Sequence, residues 1–172
     1  MEIENSWIRI RATVFPLPMS TTHLLARAVL RDDDHVLVVR ADGQSHTFLP
    51  GGHREAGEGL TECLRRELHE ELGVQARIGA YLGGVEHQWR RNGEQQYEVN
   101  HCFSVAVPDL AAPTPPPSEE DYLSFDWVPV DRLAAVELQP APVRPMLAED
   151  TATGRPSWGT TLTERAGGSS AA

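Results

Sequence analysis

The sequence predicts an α/β fold built as one domain, and three observations carry that expectation. Strand-like apolar segments recur at Thr22–Leu30, Val36–Arg40, Gln75–Val85, Tyr97–Val107 and Leu123–Val128. One segment among them has the helical period instead: Leu60, Leu64, Leu68 and Leu72 stack as a single apolar stripe. The length of 172 residues leaves room for one adequate core.

Taken in order, residues 1–20 form a lead-in with one extra strand, since Trp7–Arg11 alternates apolar and polar side chains before Pro16 and Pro18 end the pattern. Thr22–Leu30 and Val36–Arg40 are joined by Arg31-Asp32-Asp33-Asp34-His35, which reads as a polar hairpin loop. Thr47-Phe48-Leu49-Pro50 leads into Gly51-Gly52 and then the helix, which Gly73 stops as a C-terminal cap. Asn92-Gly93 marks a tight hairpin turn ahead of Tyr97–Val107. Pro113–Pro117 is a loop, followed by the strand Leu123–Val128, a short helix over Val130–Val136 and a terminal helix within residues 140–150. Residues 151–172, small and polar apart from Trp158, are expected to be a disordered tail.

The helix carries the chemistry. Glu67, Glu70 and Glu71 stand at i, i+3 and i+4, roughly a quarter-turn from the leucine stripe. Like charges at this spacing repel by about 0.2–0.5 kcal/mol per pair even in water. A solvated face is the commonest meaning of such a run, but a hard cation, Mg²⁺ or Mn²⁺, would also account for a group of carboxylates beside a Gly-Gly turn.

The run from Gly52 to Val74 resembles the Nudix box, G-x5-E-x7-R-E-(apolar)-x-E-E-x-G-(apolar). Gly52, Glu58, Arg66, Glu67, Leu68, Glu70, Glu71, Gly73 and Val74 match its nine fixed positions across 23 residues. On this pattern the chain is identified as a member of the Nudix hydrolase family, with residues 21–150 as the family domain. The resemblance implies an α/β/α sandwich around a mixed, partly antiparallel sheet, and hydrolysis of a nucleoside diphosphate linked to another moiety. It implies Mg²⁺ or Mn²⁺ held by Glu67, Glu70, Glu71 and the backbone carbonyl of Gly51. The general base among relatives varies, leaving Glu67, Glu70 and Glu120 open. Relatives often place an extra carboxylate just before the last strand as metal ligand or base, for which Glu120 is the first candidate and Glu119 the next. Arg66 is expected to orient the box glutamates, and Glu58 to hold the loop–helix geometry.

Strands after the box border the substrate cleft in this architecture, so His87, Trp89, Arg90, Arg91 and Glu98 are candidate substrate contacts. Arginine suits phosphate oxygens, and Trp89 suits stacking on a base; a solvated hairpin with one half-buried Trp is the competing account. Subclass signals are negative: the proline common in ADP-ribose hydrolases past the box is absent, and position 91 is Arg91 where diadenosine-polyphosphate enzymes carry tyrosine. Nucleoside triphosphates, nucleotide sugars and ADP-ribose all stay open. Two alternatives share the fold: a nucleotide-sensing module without hydrolysis, and a diphosphate isomerase of the isoprenoid type. The first commonly loses box glutamates, and none is lost here. The second needs an activated cysteine, whereas Cys63 and Cys102 read as buried small hydrophobes.

Composition narrows the partners. Net charge is −10, and all 15 basic residues are arginine. An acidic chain argues against general nucleic-acid binding. The start, Met-Glu-Ile-Glu-Asn, has no basic or apolar leader pattern, and no apolar run approaches the roughly 18 residues of a membrane span. A cytoplasmic location and a small-molecule substrate are the expectation. A homodimer is compatible with the family, with Trp7 as its candidate contact.

Overall fold

The computed structural model describes residues 22–148 and 155–162. The elements in order are β1 (Thr22–Asp32), β2 (His35–Ala41), α1 (Leu60–Leu72), β3 (Arg77–Arg91), β4 (Glu94–Ala106), β5 (Leu123–Pro129), α2 (Val143–Ala148) and β6 (Ser157–Thr160), with a 3-10 turn at Val130–Arg132. The lead-in 1–20, its strand and Trp7 lie outside the described residues.

The strands form a mixed sheet in the order β5-β2-β1-β4-β3-β6. β1 runs parallel to β4, pairing Arg27 with Cys102 and Leu25 with Asn100. β3 and β4 form a long antiparallel hairpin that sets His87 opposite Glu98. Its turn uses Asn92 at φ 52° and Gly93 at φ 83°, the left-handed pair that an Asn-Gly hairpin requires. β1 and β2 pair only at their hairpin end, Arg31 with Val36 and Asp32 with His35. Beyond it, the loop before α1 lies along β1: Ala28 N–H donates to Pro50 O at 2.8 Å, Ala26 N–H to Gly52 O at 3.0 Å, and Arg54 N–H to Leu24 O at 2.9 Å.

Strand alternation divides the apolar side chains between the two faces of the sheet. On one face Ala28, Leu30, Leu37, Val39, Phe103 and Phe125 pack with Cys63, Leu64, Leu68 and Leu72 of α1. On the other, Val29, Val36, Val38 and Cys102 pack with Leu133, Leu138 and the α2 residues Val143, Met146 and Leu147. The result is an α/β/α arrangement around a mixed sheet.

Two expectations need correction. The helix foreseen over Val130–Val136 is only a 3-10 turn through Arg132. The chain reverses because Glu137 adopts φ 51° and Leu138 N–H returns to Leu133 O at 3.0 Å, burying both leucines. The tail foreseen as disordered contains β6, which adds to β3 in parallel, from Gly83 against Ser157 to Glu86 against Thr160. That strand is held by backbone pairing and by Trp158 lying over Gly84, where a side chain at 84 would collide with the indole. None of the described helices is long and apolar enough to cross a membrane.

Candidate active site

Helix α1 begins after Gly59, whose N–H donates to the Glu62 carboxylate at 2.9 Å, and ends at Gly73, a left-handed cap with φ 66° whose N–H bonds His69 O. With Leu64, Leu68 and Leu72 in the core, the three glutamates fall into graded environments. Glu70 is exposed, Glu67 is half-buried, and Glu71 retains 7% of its surface. The quarter-turn estimate therefore places Glu67 well but understates how deeply Glu71 is buried.

Arg66 organises the outer side of this group. Its Nε and Nη2 donate to the two oxygens of Glu58 at 2.9 and 3.0 Å, and Nη1 donates to Glu67 Oε1 at 2.9 Å and Glu70 Oε2 at 3.0 Å. Nη2 also meets His53 O at 3.1 Å, so all three guanidinium nitrogens are engaged. The paired bonds from Arg66, with the Glu55 N–H, hold the Glu58 carboxyl down at about 2 and raise the Arg66 pKa in turn.

The inner side is built on the Gly51-Gly52 turn. Gly51 adopts φ 110°, and a Cβ there would run into Ala26 O and Leu64. A Cβ on Gly52 would overlap the Glu67 carboxylate, so glycine is what lets that carboxylate sit against the turn. Gly51 N–H donates to Glu71 Oε2 at 3.0 Å. Burial pushes the Glu71 carboxyl up to about 7 against the opposing pull of that N–H and of Arg27, while Glu67 and Glu120 push the same way. Glu67 is also raised, by burial first and by Glu70, against Arg66.

The loop before β5 closes this side. Glu119 N–H donates to Glu71 O at 2.9 Å, tying the loop to the end of α1. The two candidate carboxylates then diverge. Glu119 lies against Gly73 at the helix cap, whereas Glu120 is near enough to Glu71 to repel its charge.

The five candidate substrate contacts converge. His87, Trp89, Arg90, Arg91 and Glu98 all line one cleft of about 630 Å³, joined by Arg27, Gln44, His46, Phe48 and Gln139. His87 and Trp89, two apart on β3, share a face and stack at 5.9 Å with 13° between their planes. Trp89 also meets His23, whose Nδ1 is 3.2 Å from Nε2 of His53 in the loop before α1.

Arg27 is the most connected of the cleft residues that sequence reading missed. It stands on β1 with its guanidinium 5.3 Å over Phe48, and donates from Nη1 to Leu49 O at 3.0 Å and to Gly51 O. Its Nε donates to Asn100 Oδ1 at 3.1 Å, and Asn100 Nδ2 to Glu98 Oε1 at 2.8 Å. Burial lowers the Arg27 pKa against the attraction of Glu98, Glu71 and Glu67. One side chain thus links the cleft to the glycine turn. It also claims the Gly51 carbonyl, the backbone oxygen expected to face a metal.

The donors around α1 are hard carboxylate oxygens, and burial raises two of them without a full countercharge, which is the environment a divalent cation relieves. As they stand, with Arg66 spanning Glu67 and Glu70, no three acidic, imidazole or thiol groups among the described residues converge tightly enough to enclose an ion. Cys63 and Cys102 are free and buried, their thiols pushed up to about 11 and about 12 by burial, so neither is an activated nucleophile.

Comparison with known proteins gives a consistent picture. The NUDIX domain model matches residues 21–149. Phosphatase NudJ of Escherichia coli (strain K12) is 28% identical over 134 residues, covering 76% of this chain and 82% of that protein. A CTP pyrophosphohydrolase of Escherichia coli (strain K12) is 31% identical over 87 residues, covering 48% of this chain; the match spans only 60% of that relative's length. Among solved structures, a MutT NUDIX hydrolase from Burkholderia pseudomallei superimposes with TM-score 0.58 at 23% identity, covering 75% of this chain and 98% of the other. That likeness is one of fold.

Proposed function

The chain belongs to the Nudix family and is a hydrolase of that family, and from that premise we propose that it is a Mg²⁺- or Mn²⁺-dependent pyrophosphohydrolase acting on a nucleoside diphosphate linked to another moiety. The observation that carries this reading is the placement of Glu67, Glu70 and Glu71 beside the Gly51-Gly52 turn, linked through Arg27 to the cleft that holds Trp89, Arg90 and Arg91.

Glu67, Glu70 and Glu71, with Glu120 beside Glu71, are the residues that would hold the cation. When bound, such an ion offsets the charge of the pyrophosphate and lowers the pKa of water. The chain supplies the rest. Trp89, stacked on His87, offers a face for the base, and Arg90 and Arg91 offer charge for phosphate oxygens. Arg66 fixes the rotamers of Glu67 and Glu70. A carboxylate among Glu67, Glu70 and Glu120 takes a proton from the attacking water as its oxygen bonds to phosphorus and the bridging P–O bond breaks. The CTP pyrophosphohydrolase relative favours nucleoside triphosphates within a class that also includes nucleotide sugars and ADP-ribose. A cytoplasmic location is part of this proposal.

The test is release of phosphate, pyrophosphate or nucleoside monophosphate from a panel of those compounds, with Mg²⁺, Mn²⁺ or EDTA, beside Glu70→Gln. Metal-dependent cleavage that the variant loses is expected. Metal-dependent nucleotide binding without cleavage would replace the hydrolase with a sensor.

A further inference from the structure

Thr161 lies beyond the residues that the NUDIX model matches, yet it reaches the cleft wall. It follows β6, and its N–H donates to Glu86 O at 3.0 Å, continuing the pairing along β3. Its hydroxyl oxygen accepts the Gln88 N–H at 3.1 Å and stands 2.8 Å from His87 Nδ1. A threonine hydroxyl has one proton to give. Of the oxygen's two lone pairs the Gln88 N–H takes one, and among the described residues His87 Nδ1 is the acceptor within reach for the hydroxyl proton, which would otherwise have no protein partner. Nδ1 is then an acceptor, and the ring carries its own proton on Nε2. Partial burial lowers the His87 pKa, which favours the neutral ring this arrangement needs. The ring is held from both sides, by the hydroxyl at its edge and by Trp89 against its face.

We propose that Thr161 is a positioning residue for the cleft: it holds His87 as the Nε2–H tautomer, stacked on Trp89, so that the cleft presents a donor to an acceptor atom of the bound nucleoside. This rests on the reading of the cleft as the nucleotide site. A neutral imidazole with a fixed proton distinguishes donors from acceptors, which a freely exchanging tautomer pair does not. A segment outside the matched domain thereby sets the polarity of one wall of the site.

The tautomer is directly measurable. Long-range proton–nitrogen NMR correlations of the nitrogen-15-labelled full chain, with His87 assigned by comparison with His87→Gln, should show the Nε2–H pattern. Thr161→Val keeps the shape but removes the hydroxyl, and should give a mixed pattern; Thr161→Ser should restore it. On a cleaved panel compound, Thr161→Val should raise KM by the inverse of the remaining Nε2–H fraction, about twofold for an even mixture, with kcat unchanged. Wild-type kinetics should return in Thr161→Ser. An Nδ1–H pattern in the wild type, an unchanged His87 spectrum in Thr161→Val, or a shifted spectrum with unchanged KM would each overturn the proposal. Where no panel compound is cleaved, the hydrolase reading falls, and the His87 spectrum alone upholds or overturns the part played by Thr161.

Discussion

The amide of Gly51 donates to Glu71 Oε2 across 3.0 Å, so the turn that enters the helix and the helix's innermost carboxylate hold one another. Glu71 is nonetheless raised to about 7, which makes it a sensitive reporter of whether a cation is present. A carboxyl raised from its ordinary 4.5 binds more protons in the folded state than in the unfolded state between those two values. Stability of the EDTA-treated protein should therefore be greatest below about pH 4.5 as far as this group is concerned, and should fall as pH rises towards 7. Glu67, also raised by burial, acts in the same sense. The loss should be about 1–3 kcal/mol. Thermal melts across pH 5–8 should show the decline, which added Mg²⁺ or Glu71→Gln should flatten.

The two glycines of the turn should fail differently. Gly51→Ala meets Ala26 O at a positive φ, obstacles of backbone, and should cost about 2–4 kcal/mol. Gly52→Ala meets only the end of the Glu67 side chain, which can swing away. It should melt within about 1 kcal/mol of wild type while losing about 10- to 100-fold in activity. Equal loss of stability in both variants would refute the distinction.

Arg66→Lys keeps the charge and removes the fork. Lysine cannot reproduce the two-point bond to Glu58 together with the bonds to Glu67 and Glu70. Activity should fall about tenfold or more even at saturating cation, because the carboxylates lose their fixed rotamers. Parallel assays of kcat against Mg²⁺ concentration separate this from a simple loss of affinity.

The loop carboxylates offer a paired comparison. Glu120 faces Glu71, and Glu119 faces Gly73. Glu120→Gln should weaken Mn²⁺ binding or turnover by about 10- to 100-fold, and Glu119→Gln should leave both nearly unchanged. Isothermal titration of the two variants decides it.

What could be read from sequence followed from local periodicity. The glutamates, Arg66 and the leucine stripe lie within four turns of one helix, where spacing fixes direction. The Asn92-Gly93 turn was legible for the same reason. Arg27 was not. Its neighbours along β1 are apolar, and its role depends on the parallel pairing with β4 that brings Asn100 and Glu98 into line. Phe48, His46 and Gln139 enter the cleft wall by chain crossings that no periodicity records. The strand β6 was missed because Ser-Trp-Gly-Thr has no alternating apolar pattern, and its order comes from the partner edge it finds.

That edge has a consequence for handling the protein. β6 covers the outer backbone of β3 from Gly83 to Glu86, where two adjacent glycines leave no side chains to obstruct an incoming strand. A chain shortened to the residues that the family model matches would bare those N–H and C=O groups to solution, as a template for edge-to-edge pairing between molecules. The minimal domain should therefore be more prone to aggregate than the full chain, although it keeps every box residue.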